Sequence, residues 1–252
     1  MAKDLNTDGL TETILDLVSH VEKLLHRQAS NPRQRVLVAL AGVPGSGKST
    51  VSHALLQELA GRCVKDVAIV PMDGFHYTKK ALAAFDDPVT AFQRRGAPFT
   101  FDANAFLSLI KTLKSTPVTT DDEPEQPVYA PSFDHGVQDP VENDIVVSSR
   151  NRIVIIEGNY TLLNEKPWSE IPDLCDERLV RLTVLNGIRL IKFRWFVDVA
   201  PEVVKDRLAA RHVAAGIEST YEAAVQRAET NDIPNGEMIR SLLIKPDVTI
   251  RN

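Results

Sequence analysis

The chain has 252 residues, 43% of them hydrophobic and 25% charged, with a formal net charge of −5. That is ordinary globular composition, long enough for one sizeable core, and the acidic balance argues against a nucleic-acid partner while leaving room for a local basic pocket for phosphates. Cys63 and Cys175 lie too far apart in sequence for a metal motif, the start is polar, and no apolar run approaches the roughly 18 residues of a membrane span, so a cytoplasmic protein with no membrane partner is expected.

Along the chain, Leu10, Ile14, Leu17, Val18, Val21, Leu24 and Leu25 recur at three- and four-residue spacing and predict an amphipathic helix over 8–29, ended by Asn31-Pro32. Residues 1–32 are therefore expected to be a helix packed on a core domain of residues 33–252. Val36 to Ala41 is a continuous apolar run, suited to a strand buried on both faces of a parallel sheet. A glycine-rich turn and a helix over about 49–60 follow. Further apolar runs at 67–70, 153–156, 192–197 and 247–250, separated by helical stretches, predict an α/β fold with a doubly wound, mostly parallel sheet in a three-layer sandwich. The stretch 115–140 holds Pro117, Pro124, Pro127, Pro131 and Pro140 and is read as a long substrate loop with one short strand at 127–129.

Gly42-Val43-Pro44-Gly45-Ser46-Gly47-Lys48-Ser49, followed by Thr50, fits the phosphate-loop pattern G-x-x-x-x-G-K-[ST] and stands between a strand and a helix as that motif requires. Glycines let backbone N–H groups converge on phosphate oxygens, and the helix presents its positive end to them. Lys48 would reach the terminal phosphates of ATP, and the Ser49 hydroxyl would ligate Mg²⁺. Asp73 follows the second strand, where a carboxylate can take the proton of an attacking hydroxyl or help hold the metal. Glu157 ends the most apolar strand, a position that orients a metal or its waters. Arg207 and Arg211 share a helical face and could clamp a transferring phosphoryl group in a lid over about 203–220. Arg94 and Arg95 could bind an acidic group on a substrate, and His135 is a substrate-contact candidate beside Asp134 and Tyr129. No zinc-type Cys/His cluster and no G-x-S-x-G hydrolase motif occurs, nor the Asn-Lys-x-Asp of a GTPase or the signature of a transporter ATPase.

Gly42 to Thr50, Met72-Asp73-Gly74-Phe75-His76-Tyr77, Tyr129 to His135, Ile155 to Tyr160 and Phe196 to Arg211 together resemble the phosphoribulokinase/uridine kinase/pantothenate kinase superfamily of P-loop kinases. The resemblance extends from about residue 35 over most of the chain, and Arg94 to Asp102 is similar to its uridine-kinase-like and sugar-kinase-like members. It implies an ATP-dependent small-molecule kinase, with Asp73 as base, Glu157 in the metal site and Arg207 and Arg211 as lid arginines. It also implies His76, Tyr77, Tyr129 and His135 on the substrate side and Lys245 and Pro246 against adenine. The acceptor would be uridine, cytidine or a pantothenate-like compound, or else a sugar or glycerate, and a homodimer is compatible with it. Two features depart from the family: Gly136-Val137 follow the loop histidine where uridine kinases place a small residue and an arginine, and residues 179–194 interrupt a connection that relatives make directly. Asn186-Gly187 would suit a hairpin there, lying outside the main sheet, so a deletion of 179–194 is expected to be tolerated.

Overall fold

The computed structural model describes residues 7–175 and 194–251. In chain order these form α1 (Thr7–Gln28), β1 (Val36–Gly42), α2 (Lys48–Gly61), β2 (Val67–Pro71), the short α3 (Lys79–Leu82) and α4 (Pro88–Gln93), and α5 (Ala103–Ser115). Then come β3 (Val128–Asp134), β4 (Asp139–Val147), β5 (Ile153–Glu157), α6 (Ile171–Cys175), β6 (Arg194–Asp198), α7 (Pro201–Ala214), α8 (Tyr221–Arg227), α9 (Ile233–Ser241) and β7 (Val248–Arg251).

Five strands make an all-parallel sheet in the order β2-β5-β1-β6-β7. Every residue of β1 and β5 is buried, which explains why both read as unbroken apolar runs rather than alternating ones. The step from β1 to β2 and the step back from β2 to β5 run in opposite directions across the sheet, so right-handed crossovers put α2 and α5 on opposite faces. This is the doubly wound arrangement expected. Ile14, Leu17, Val18, Val21 and Leu24 of α1 enter the same apolar cluster as the sheet, so the helix packs into the core rather than beside it. Capping follows local rules: Asp102 accepts from Ala105 N–H at 2.8 Å to start α5, Thr220 does the same for α8 through Ala223 N–H, and Pro201 opens α7 at its first turn.

The expectation for 115–140 needs correction. Only the first part is an irregular loop; β3 and β4 pair antiparallel from Val128↔Val147 to Asp134↔Asp139, with a register shift between Ala130 and Ser132. Prolines 131 and 140 stand in this two-stranded sheet without disrupting the fold because neither strand is central, and an edge strand has outward N–H groups to spare. The expectation for 179–194 lies outside the described residues except at its end. There Arg194 is already part of β6: it pairs with Ala39, and its guanidinium holds Asp247 at 3.0 and 3.2 Å, so a deletion through 194 would cut into the sheet. Lys192 and Phe193, read as the start of that strand, are also outside the described residues.

Arg35 has no exposed surface and is held by backbone carbonyls: Nε donates to Asn151 O at 2.9 Å, Nη1 to Leu113 O at 2.9 Å and Nη2 to Ser148 O at 3.2 Å. It ties the end of α5 and the β4–β5 turn to β1. Arg35→Met keeps much of the volume but strands these acceptors in the interior, so the variant is expected to lose about 3 kcal/mol of stability. A lower urea midpoint at unchanged m-value would register this. Among the described residues no helix is long and apolar enough to cross a membrane.

Candidate active site

A cavity opens at the carboxyl ends of β1, β2 and β5, where an open parallel sheet places its ligands. Its floor is the turn after β1. Gly45 and Gly47 have φ of 74° and 86°, values that glycine adopts without strain. Gly42 is required for another reason: a Cβ there would stand 2.6 Å from Ser46 Oγ and 2.8 Å from Val197 O. The turn delivers Pro44, Gly45, Lys48 and Ser49 to the cavity wall, with α2 beginning at Lys48. Gly42, Val43 and Ser46 are buried beneath them, and Thr50 is exposed on the first turn of α2 without lining the cavity.

Lys48 is nearly buried, its ammonium donating to Asn159 Oδ1 at 2.6 Å and to Val43 O at 3.2 Å. Burial pushes its pKa down, while the carboxylates of Glu157 and Asp73 pull it back up. Glu157 ends β5 and is also buried. Burial, aided by the nearby Asp73, raises its pKa to about 7, against the opposing effects of Lys48 and of the Ser49 hydroxyl, which donates to Glu157 Oε2 at 3.5 Å. Hydroxyl and carboxylate oxygens are what a hard divalent cation takes. Among the described residues no cluster of three or more His, Cys, Asp and Glu has metal-holding geometry, so a cation here would complete its shell with phosphate and water oxygens.

Asp73 sits in a short 3₁₀ turn, Met72–Phe75, directly after β2. Gly74 lets this turn lie against the hairpin, since a Cβ there would come within 2.1 Å of Pro131 O. The same turn carries His76, whose Nδ1 lies 2.8 Å from Asp73 O and whose ring sits 3.9 Å from the Phe101 ring and 4.7 Å from that of Phe133. Burial among these rings holds the imidazole below its usual pKa, hence neutral. Arg95, Gln138 and His135 complete this wall. The facing wall belongs to α7, α8 and the single π turn Ala228–Asp232: Arg211, His212, Arg227 and Asp232. Burial raises the pKa of Asp232 although Arg211 and Arg227 oppose it, and burial lowers that of His212 to about 4, leaving the imidazole uncharged at its 3.4 Å approach to Asp232 Oδ2.

The structure thus gathers Pro44, Gly45, Lys48, Ser49, Asp73, His76, Arg95, His135, Glu157 and Arg211 around one cavity; besides Gly42, Val43, Ser46, Gly47 and Thr50 of the phosphate turn, it leaves six expected residues off its wall. Arg207 is one helical turn before Arg211, too far down α7 to reach the opening. Tyr77 turns its ring onto Phe85, with centroids 5.4 Å apart, and only its carbonyl faces Arg95, at 3.1 Å. Arg94 points away into a buried amide pair, donating to Asn231 Oδ1 and Asn235 Oδ1 at 3.1 Å each. Tyr129 stands on the outer face of β3, 51% exposed. Lys245 and Pro246 lead into β7 at its amino end, whereas the phosphate loop leaves β1 at its carboxyl end. The reverse omission is Asn159, Phe133, Gln138, Arg227 and Asp232, which line the cavity without having been singled out. Asn159 had a signal, lying just after Glu157-Gly158: a Cβ on Gly158 would meet Met72 Cβ at 2.4 Å, and that close packing aims the next residue at Lys48.

Comparison with known proteins agrees with this geometry. The Phosphoribulokinase / Uridine kinase family profile matches residues 37–192. A Schizosaccharomyces pombe protein named "Putative uridine kinase C227.14" is 39% identical over 237 residues, covering 93% of this chain and 91% of that one. "ATP-dependent kinase YFH7" of Vanderwaltozyma polyspora is 34% identical over 242 residues, covering 86% of this chain but 64% of its own length. Among solved structures, a "putative fructose transport system kinase" from Silicibacter sp. TM1040 superposes with a TM-score of 0.73 at 30% identity, over 94% of this chain and 98% of that one. Phosphate loop, strand-end carboxylates, parallel sheet and sequence match all lead to one assignment: this chain belongs to the phosphoribulokinase/uridine kinase family of P-loop kinases.

Proposed function

We propose that the protein transfers the γ-phosphoryl group of ATP to a hydroxyl of a small metabolite, with Mg²⁺ as the accompanying ion. The observation that carries this reading is that Lys48, Asp73 and the buried Glu157 face one cavity, close enough to feel one another's charge, with Ser49 within hydrogen-bond reach of Glu157. The turn 42–50 would hold the ATP phosphates on its N–H groups and on the amino end of α2. Ser49, Glu157 and Asp73 are the residues that would hold the ion, which when bound neutralises phosphate charge. Asp73 accepts the proton of the acceptor hydroxyl as that oxygen attacks phosphorus, and Lys48 and Arg211 oppose the charge on the transferring group. The acceptor side, with His76, Arg95 and His135, suits a nucleoside such as uridine or cytidine or a pantothenate-like compound; a sugar or glycerate is the second reading. ATP consumption with and without a panel of hydroxyl compounds tests the reading, and a rate that no compound stimulates would instead mark a non-kinase NTPase or a nucleotide-binding module.

The two arginines of α7 separate in this reading. Arg211→Ala is expected to lower kcat by about tenfold or more with a smaller change in KM for ATP, because a contact to the transferring group strengthens in the transition state. Arg207→Ala, off the cavity wall, should stay within about threefold of the parent. Steady-state kinetics of both variants side by side, with equal losses, would remove Arg211 from the mechanism.

A further inference from the structure

Arg95 is the guanidinium of the acceptor-side wall, and both of its terminal nitrogens are already committed; only the buried Nε has no partner. Its side chain is 10% exposed; Nη2 donates to Asp139 Oδ1 at 2.9 Å and to Tyr77 O at 3.1 Å, and Nη1 donates to Gln138 O at 2.5 Å. The guanidinium carbon lies 5.5 Å from the centre of the Phe133 ring, so one face is covered as well. Asp139 is fixed in turn, accepting from the Lys79 N–H at 2.9 Å where the hairpin meets α3. The remaining cations of the cavity, Lys48, Arg211 and Arg227, belong to the phosphate loop and the opposite wall. The acceptor end therefore carries one cancelled positive charge, the carboxylate of Asp73, the imidazoles of His76 and His135, and the rings of Phe101 and Phe133.

A carboxylate entering such a pocket loses its water, meets no uncompensated cation on that wall, and lies near Asp73. Hydroxyl groups and the carbon face of a sugar or pyrimidine meet donors, acceptors and aromatic carbon without a charge penalty. We propose that the Arg95–Asp139 pair sets the charge class of the phosphoryl acceptor, so that the pocket takes an uncharged polyhydroxyl compound, a nucleoside or a sugar, and rejects hydroxy acids. This rests on the kinase reading above and narrows it, removing pantothenate-like and glycerate-like acceptors. It also turns the expectation that Arg95 binds an acidic substrate group into its opposite, because Asp139 and the carbonyls of Tyr77 and Gln138 already take the Nη1–Nη2 fork and Asp139 supplies the countercharge.

The test compares ATP-dependent phosphorylation, read by mass spectrometry, of a neutral panel (uridine, cytidine, D-ribose, D-fructose and common polyols) and an acidic one (D-glycerate, D-pantothenate). Thermal shift with ADP and each compound gives a second readout that needs no turnover. The parent protein is expected to favour its best neutral acceptor over both acids by about 100-fold or more in kcat/KM. Asp139→Asn keeps an oxygen for Lys79 N–H and Arg95 but removes the negative charge; it should narrow that gap by about tenfold, through the KM of the acids. Preference of the parent for an acid, in turnover or in thermal shift, overturns the proposal and leaves the kinase reading standing. Silence of the whole neutral panel in both readouts also overturns it. An unchanged gap in a folded Asp139→Asn that still uses its neutral acceptor shows that Asp139 merely holds the hairpin. Loss of all ATP turnover with every compound would instead bear on the kinase reading itself.

Discussion

Lys48→Ala should abolish phosphoryl transfer, by on the order of 10³-fold or more, while leaving the protein folded. The ammonium is the positive group held deepest beside the phosphate turn, 2.6 Å from Asn159 and close enough to Glu157 and Asp73 for each carboxylate to raise its pKa. Among the described residues nothing else on the floor of the cavity supplies a positive charge there, since Arg211 and Arg227 approach from the other wall. The fold should survive because the carboxylate that loses its partner has an escape. Burial already pushes the Glu157 pKa up to about 7, with Lys48 first and the Ser49 hydroxyl second opposing it; without the lysine it rises further, so the group takes up a proton near neutral pH instead of remaining as a buried unpaired charge. α2 keeps its buried Val51, Leu55 and Leu59 contacts. A parent-like melting transition together with lost product formation is the expected pair of results; near-normal turnover would remove the phosphate-cradle assignment.

Asp73→Asn should retain ATP binding and lower kcat by about 10²–10⁴, the range of general base catalysis. The backbone around this residue is held by contacts the substitution does not touch. Met72 and Phe75 are buried on either side, Gly74 packs under Pro131, and His76 Nδ1 bonds to the Asp73 carbonyl rather than to its carboxylate. Asparagine keeps the shape and still presents an oxygen, but it cannot take a proton. The loss should therefore fall on kcat with the best acceptor, with the KM for ATP nearly unchanged. If ATP affinity collapses while kcat survives, Asp73 serves the ion and the base lies elsewhere; calorimetric titration with ATP and Mg²⁺ alongside the kinetics separates the two.

Much of this site was legible in the amino-acid sequence because its determinants are local. The phosphate loop is one continuous segment whose glycines are demanded by positive φ and by close packing under Gly42, and β1 and β5 read as buried strands because both of their faces are covered. Asp73 and Glu157 could be found from their places just past apolar runs, since parallel strands that share one sheet end at one edge of it. The hairpin was not legible. Its strands are half exposed, interrupted by Pro131 and Pro140, and stabilised by pairing with each other and by the contact of Pro131 with Gly74, a partner far away in the chain.

Side-chain direction was equally out of reach. Arg94 and Arg95 are neighbours of the same type, yet one braces Asn231 and Asn235 and the other lines the cavity, because the end of α4 turns them to opposite sides. Arg207 and Arg211 share a helical face, but only the one a turn farther along reaches the opening. Asp232 enters the wall through a π turn that no local pattern announces, Arg227 stands at the end of α8 just before it, and Asp139 meets Arg95 across a gap of forty-odd residues in sequence. What the sequence by itself determined is the chemistry of phosphate binding and the sheet that carries it, both set by interactions within one segment or by burial of apolar runs. Which residues face the acceptor, and with what net charge, was decided only by the tertiary structure, because that wall is assembled from the 3₁₀ turn, the end of α4 and the hairpin, whose mutual orientation no single segment encodes.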